Sequence, residues 1–164
     1  MTMSSRSLRA SFAALVLVVP LLVSGCGRKI GDECRDAYEC NNEDNTRSCD
    51  LSQPNGYCTI EGCDELSCPK EARCVRFFPS AEFLNKKCDP TKSPNACDAQ
   101  EVCVQLGGEG RCAPRSTEKR TCMLKCDNDG DCREEYSCQS TGVRNSLALT
   151  PNPGEQVKYC APRP

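Results

Sequence analysis

The chain has no histidine. That absence removes the commonest general base and the commonest metal ligand together, and excludes Ser-His-Asp and Cys-His catalysis. Cys-x-x-Cys is also missing, so the usual zinc knuckles, c-type haem attachment and thioredoxin-like redox motifs are not encoded. Large apolar side chains are scarce. Residues 26–164 hold 17 Leu, Ile, Val and Phe among 139 residues, about 12 %, against the roughly 20 % of a chain with an ordinary core. Fixing each residue costs on the order of 1 to 2 kcal/mol, so hydrophobic burial alone does not fold this stretch. Charge of one sign is lacking as well, with 21 Lys and Arg against 23 Asp and Glu.

What is present begins with an apolar run from Ala10 to Val23, preceded by Arg6 and Arg9. A positive start followed by a run of this length is a signal peptide pattern, expected as an N-terminal helical segment over 1–25. The run falls short of the roughly 20 residues of a membrane span, and Pro20 interrupts it. It ends in Leu22-Val23-Ser24-Gly25-Cys26, which resembles the lipobox of bacterial lipoproteins. That resemblance implies lipidation of Cys26, cleavage before it and attachment to the membrane through a lipid anchor. Gly27 stands where an Asp would mark inner-membrane retention, so the resemblance implies the outer membrane. The alternative is ordinary secretion, with Cys26 as one more disulfide partner. Without Arg6 and Arg9 the mature charge is 19 minus 23, or −4, which disfavours nucleic acid as a partner.

Cysteine is the abundant residue. Of 17 in the chain, 16 follow Cys26, an even set that full pairing requires. Eight disulfides at about 2 to 4 kcal/mol each offset much of the missing core by constraining the unfolded chain, which requires an oxidising compartment. The candidates are Cys34, Cys40, Cys49, Cys58, Cys63, Cys68, Cys74, Cys88, Cys97, Cys103, Cys112, Cys122, Cys126, Cys132, Cys138 and Cys160, and connectivity stays open. A three-cysteine phrase recurs: Cys68-x5-Cys74, Cys97-x5-Cys103 and Cys132-x5-Cys138 are each followed by a loop and a closing cysteine, at Cys88, Cys112 and Cys160. Cys88 closes one unit or opens the next through Cys88-x8-Cys97, and Cys122 has no obvious counterpart.

Turn chemistry predicts hairpins at the same phase. Val102–Leu106 meets Arg111–Cys112 across Gly107–Gly110, Ser48–Leu51 meets Tyr57–Ile60 across Pro54-Asn55-Gly56, and Tyr136–Gln139 meets Val157–Cys160. The expected fold class is therefore small and disulfide-rich, with short β-hairpins and irregular loops in three or four tandem stapled units. The organisation read from the sequence is a signal peptide over 1–25, an anchor and tether over 26–33, cysteine-rich units over 34–112, a joint over 113–121 and a last unit over 122–164.

The stretch from Cys126 through Cys132 to Cys138 resembles the knottin-like phrases of four-disulfide-core and Dickkopf-type domains, which display a binding loop on a stapled scaffold. It lacks the adjacent cysteine pair of the four-disulfide core, so protease inhibition is not carried over. The chain as a whole resembles the small cysteine-rich lipoproteins of bacteria. Within that stretch, Asp127, Asp129 and Asp131 are weak calcium candidates. The EF-hand pattern fails, because Cys132 stands at the glycine position and Cys138 at the glutamate position. The structural alternative is a side-chain-bonded turn between staples.

Phe77, Phe78 and Phe83 lie in one loop, and two readings stand: a small apolar cluster, which is favoured, or an exposed anchor for a partner. Glu134-Glu135 is read as solvated surface. The expected function is a lipid-anchored, non-catalytic binding or surface module of the cell envelope with a protein or glycan partner and no cofactor. A structural envelope component is the alternative, and a protease inhibitor comes after it.

Overall fold

The computed structural model describes residues 27–41, 46–79, 85–89, 91–92, 94, 96–106, 109–143, 145–151 and 155–163. The expected signal segment, Cys26 and Phe83 lie outside these residues. One short helix, α1 (Ala37–Cys40), is followed by β1 (Ser48–Cys49), β2 (Cys58–Thr59), β3 (Ala72–Phe77), β4 (Lys87–Cys88), β5 (Glu101–Leu106), β6 (Glu109–Pro114), β7 (Lys119–Leu124), β8 (Tyr136–Ser140), β9 (Ser146–Ala148) and β10 (Lys158–Pro162). The small disulfide-rich fold expected from composition is the one observed.

All sixteen cysteines from Cys34 onward pair, and they do so by one rule. In each group of four, the first bonds the third and the second bonds the fourth. The first unit has Cys34–Cys49 and Cys40–Cys58, the second Cys63–Cys74 and Cys68–Cys122. The third has Cys88–Cys103 and Cys97–Cys112, the fourth Cys126–Cys138 and Cys132–Cys160.

A second regularity explains the first. The third and fourth cysteines of every unit face each other across an antiparallel ladder: Cys49↔Cys58, Cys74↔Cys122, Cys103↔Cys112 and Cys138↔Cys160. Facing residues project to the same side of a ladder. Each sulfur thus points at the segment folded over that side, where the first two cysteines wait.

The units are not in simple tandem. The third is inserted between β3 and β7, the two strands of the second unit's ladder. Hence the phrase opened by Cys68 and Cys74 does not close on Cys88, which bonds Cys103 and opens the third unit. Its closing cysteine is the displaced Cys122, 54 residues from Cys68. No staple joins Cys74 to Cys88. Residues expected as a joint, 113–121, carry the end of β6, a 3-10 turn at Arg115–Thr117 and the start of β7.

The three hairpins read from the sequence form with the expected partners. The loop after Cys138 is docked on the central sheet. It supplies β9, which pairs with β3 through Val75↔Ala148, Arg76↔Leu147 and Phe77↔Ser146, giving a sheet of order β7-β3-β9. Its Thr141 and Ser146 are buried.

Aromatic hydroxyls join the first, second and fourth units around one core. Tyr57, Tyr136 and Tyr159 are its largest fully buried side chains, with Ile30, Val75 and Met123 beside them. Tyr57 stacks on Tyr136 at 5.5 Å between centroids. A buried phenol needs a partner, and for Tyr57 and Tyr136 the partner lies across a unit boundary. The Tyr57 hydroxyl accepts from the Leu124 amide at 2.9 Å, and the Tyr136 hydroxyl donates to the Pro54 carbonyl at 3.1 Å. The Tyr159 hydroxyl donates to Ser146 Oγ at 3.1 Å, holding β9 in place. The third unit has a separate, smaller cluster of Phe78, Val104 and Ala113, flanked by Val102 and Leu147.

Glycine is needed where the staples come closest. Gly56 has φ +65°, and a Cβ there would lie 2.0 Å from the Cys34 carbonyl oxygen. Gly110 sits at the same place in the third unit, where a Cβ would lie 2.3 Å from the Cys88 carbonyl oxygen. Each is two residues before its unit's fourth cysteine and packs on its first.

Candidate binding cleft

A cleft of about 640 Å³ opens where the first, second and fourth units meet. The β1–β2 turn contributes Asp50, Ser52 and Gln53, the start of β7 contributes Glu118 to Thr121, and β10 contributes Tyr159, Ala161 and Pro162. Phe77 and Met123 line the floor from the central sheet. Phe77 meets Tyr159 edge to face, 5.8 Å between centroids with planes at 78°. Tyr159 itself is buried, so half-buried Phe77 is the aromatic surface the cleft offers.

The lining carries charges of both signs. On one side Asp50 accepts from Ser52 Oγ at 2.6 Å, the Ser52 amide at 3.0 Å and Gln53 Nε2 at 2.8 Å. Burial raises the Asp50 carboxyl, but these hydrogen bonds and the Lys119 charge outweigh it and hold the group below the usual aspartate range. Opposite stand Lys119 and Arg120, with Arg76 behind them. Glu61 lies on that side too, where it forms a β-bridge with Thr121. Glu118 sits 3.8 Å from Arg76 and 3.5 Å from Arg120, and Arg120 also pairs with Asp64 at 2.5 Å, so both guanidinium groups meet carboxylates and Lys119 supplies the further positive charge. Burial lowers the Arg76 pKa against the opposing Glu118 charge, and its Nε is buried without a partner.

The cleft offers an apolar floor with charges of both signs around it, a lining that can contact a ligand's apolar and charged groups. Among the cleft's neighbours, burial pushes Tyr57 well above the ordinary tyrosine range, and Tyr136 is also raised by burial despite the Arg133 hydrogen bond that opposes it. Both are far from use as a general base near neutral pH.

The predicted site residues are scattered relative to the cleft. Phe77 lines it. Phe78, offered from the sequence as a partner anchor, is 2 % exposed and packs with Val104 and Ala113; the ring is core because β3 ends at the seam between the central sheet and the third unit. Lys119, Arg120, Asp50 and Glu118 were not legible as a site. Lys119, Arg120 and Glu118 all fall inside the expected joint, and no local pattern marks charges that converge only when β7 returns from the inserted unit.

The acidic stretch after Cys126 has a structural role. Asp131 accepts from the amides of Asp127 at 2.8 Å and Asn128 at 3.1 Å, closing a capping box on the 3-10 turn Asp129–Asp131. Asp129 accepts from the Cys138 amide at 2.8 Å. The first unit repeats this device between its first two cysteines. Asp36 caps α1 by accepting from Glu39, and Glu39 accepts from the Arg35 amide. A carboxylate whose oxygens hold backbone amides is committed to the turn, which favours the structural reading over calcium. Among the described residues, the groups of three or more metal-type ligands near one another are cysteine trios such as Cys34, Cys40 and Cys58. Their sulfurs are disulfide-bonded, whereas a metal takes the thiolate.

Compared with known proteins, the chain matches no family model, no curated protein and no solved structure.

Proposed function

We propose that this chain is a lipid-anchored, extracytoplasmic binding module without a catalytic centre, which takes a segment of a partner protein in the cleft between its first, second and fourth units. The observation that carries the anchor is the cysteine balance. The eight disulfides consume Cys34 to Cys160, so Cys26, at the end of the apolar run, is the one cysteine left without an intramolecular partner. A thiol kept out of the pairing scheme at a lipobox-like sequence is what lipidation requires. The outer membrane, reached through Gly27, is part of the same proposal.

A protein segment is favoured over a glycan by the floor of the cleft. Sugars stack on open aromatic faces, whereas Tyr159 is buried and Phe77 meets it edge to face. One apolar side chain over Phe77, flanked by an acid toward Lys119 and a base toward Asp50, matches the charge pattern.

Two measurements test the two halves. Cells fed a clickable fatty acid label the wild-type protein, and Cys26→Ser takes up no label; a labelled mutant overturns the anchor. A photo-crosslinking residue at Lys119 captures one saturable protein band, while the same residue at Lys92, on the inserted unit, does not. Equal capture at both positions, or at neither, overturns the cleft.

A further inference from the structure

The chain leaves its anchor already bound to the first unit. Ile30 is fully buried in the shared core, and the Gly31 amide donates to the Cys58 carbonyl at 2.9 Å. Arg28, two residues past Cys26, is held too. Its guanidinium lies 3.5 Å from Glu39 and donates to the Glu33 carbonyl, while its own carbonyl accepts from Arg47. Four residues from Cys26 to Ile30 span at most about 14 Å at roughly 3.3 to 3.6 Å each, and two to Arg28 at most about 7 Å. The free tether is thus shorter than the seven residues between Cys26 and Cys34 suggest.

The surface beside that exit carries exposed apolar side chains. Leu51, 66 % exposed at the β1–β2 turn, lines one groove with Arg28, Arg35 and Glu39. Tyr38, 86 % exposed, sits on α1 next to Glu39, the Arg28 partner. Three of the four tyrosines are the buried centre of the fold, and Tyr38 is the exception. Single exposed hydrophobics are ordinary. Two on the unit that the anchor holds within a few ångströms of a bilayer are placed where tyrosine and leucine partition into the headgroup and upper acyl region.

Charge selects the kind of lipid. Around the exit stand Arg28, Lys29, Arg35 and Arg47 against Asp32, Glu33, Asp36, Glu39 and Glu71, four cations to five anions. A surface balanced in this way matches a zwitterionic headgroup layer and gains nothing from an anionic one.

We propose that the first unit docks on the zwitterionic phospholipid surface carrying the anchor, with Leu51 and Tyr38 in the headgroup layer, so that the module stands in one fixed orientation. This rests on the lipidation of Cys26.

The chain has no tryptophan, so one introduced tryptophan reports alone. Full-length Leu51→Trp, purified from membranes, is reconstituted in phosphatidylcholine vesicles with and without acyl-brominated lipid. Val143→Trp, at a 48 % exposed position on the fourth unit, is the control. Mass measurement on the same samples establishes the acyl groups and the eight disulfides. Blue-shifted emission quenched by bromine at position 51, unquenched emission at 143, and no gain from added anionic lipid are expected. A lipidated sample in which position 51 stays unquenched, or in which both positions quench alike, overturns the docking while leaving the anchor standing. An unlipidated sample overturns both.

Discussion

The inserted third unit and the three units around it share one disulfide rule but are held together by different means. The first, second and fourth pool their apolar side chains into one core, where tyrosine hydroxyls bond across unit boundaries. The third has its own two disulfides and rim ion pairs such as Lys86 with Asp98 and Glu101 at 3.1 Å, and meets its host through a small cluster in which its Val104 and Ala113 pack on Phe78, with Leu147 beside them. Its strands β4, β6 and β5 form a separate sheet. The difference teaches that the cross-paired hairpin is sufficient for local structure, whereas the core decides which units act as one body. A unit whose termini both attach at the end of one ladder, where Phe77 faces Lys119, can be added without breaking the rule of its host.

The comparison breaks most severely if the long staple is cut. Replacing Cys68 and Cys122 together by Ala removes the disulfide that spans the insertion, and is expected to cost about 2 to 5 kcal/mol. Denaturant unfolding measures the loss. Peptide mapping should find Cys88–Cys103 and Cys97–Cys112 intact in the same sample, and scrambling there would show that the third unit leans on its host.

Next comes the clamp between the first and fourth units. The Arg133 guanidinium donates to the Pro54 carbonyl at 2.8 Å, to the Gly56 carbonyl and to the Tyr136 hydroxyl, and lies 4.3 Å from the Tyr136 ring centroid. Arg133→Met keeps the aliphatic stem and removes all three bonds, leaving the Gly56 carbonyl without this donor while Pro54 keeps the Tyr136 hydroxyl, at a cost of about 2 to 3 kcal/mol. Hydrogen exchange should rise around Tyr57 and Tyr136 and stay unchanged in β5 and β6.

Tyr57→Phe is milder, about 1 kcal/mol for the lost bond to the Leu124 amide. It also carries a pH signature. Burial raises the Tyr57 pKa in the folded chain well above the ordinary tyrosine range. Its contribution is therefore fully present below the unfolded value and lost as pH rises from there toward the folded value. Wild type should lose stability above about pH 10, and Tyr57→Phe should lose less over that range. Identical alkaline slopes would assign the loss to other tyrosines.

The smallest effect is expected from excision. Joining Phe78 directly to Glu118 through Asn-Gly deletes the third unit and turns β3 and β7 into an ordinary hairpin. The remaining six disulfides should form and the unfolding midpoint of the shared core should hold. A large drop would mean that Phe78 and Leu147 transmit stability between the bodies.

The sequence determined a good deal. Even cysteine count, low apolar content and turn residues at Pro54-Asn55-Gly56 and after Leu106 were enough for a stapled fold with named hairpins, because each signal is local. The repeat was half legible. Cys97 and Cys112, like Cys132 and Cys160, stood out as the start and close of a phrase with connectivity open, while Cys88 could close one unit or open the next because spacing along the chain carries no record of an insertion. The capping carboxylate at Asp131 looked like a metal ligand, since Asp in alternation is written alike whether its oxygens meet a cation or a backbone amide. Tertiary structure alone decided that Phe78 is core, that the long loop after Cys138 supplies a strand, and that Asp50, Phe77 and Lys119 line one cleft. The β3–β7 ladder brings Phe77 and Lys119 together across the nested unit, and the three-tyrosine core brings the β1–β2 turn with Asp50 to the same face.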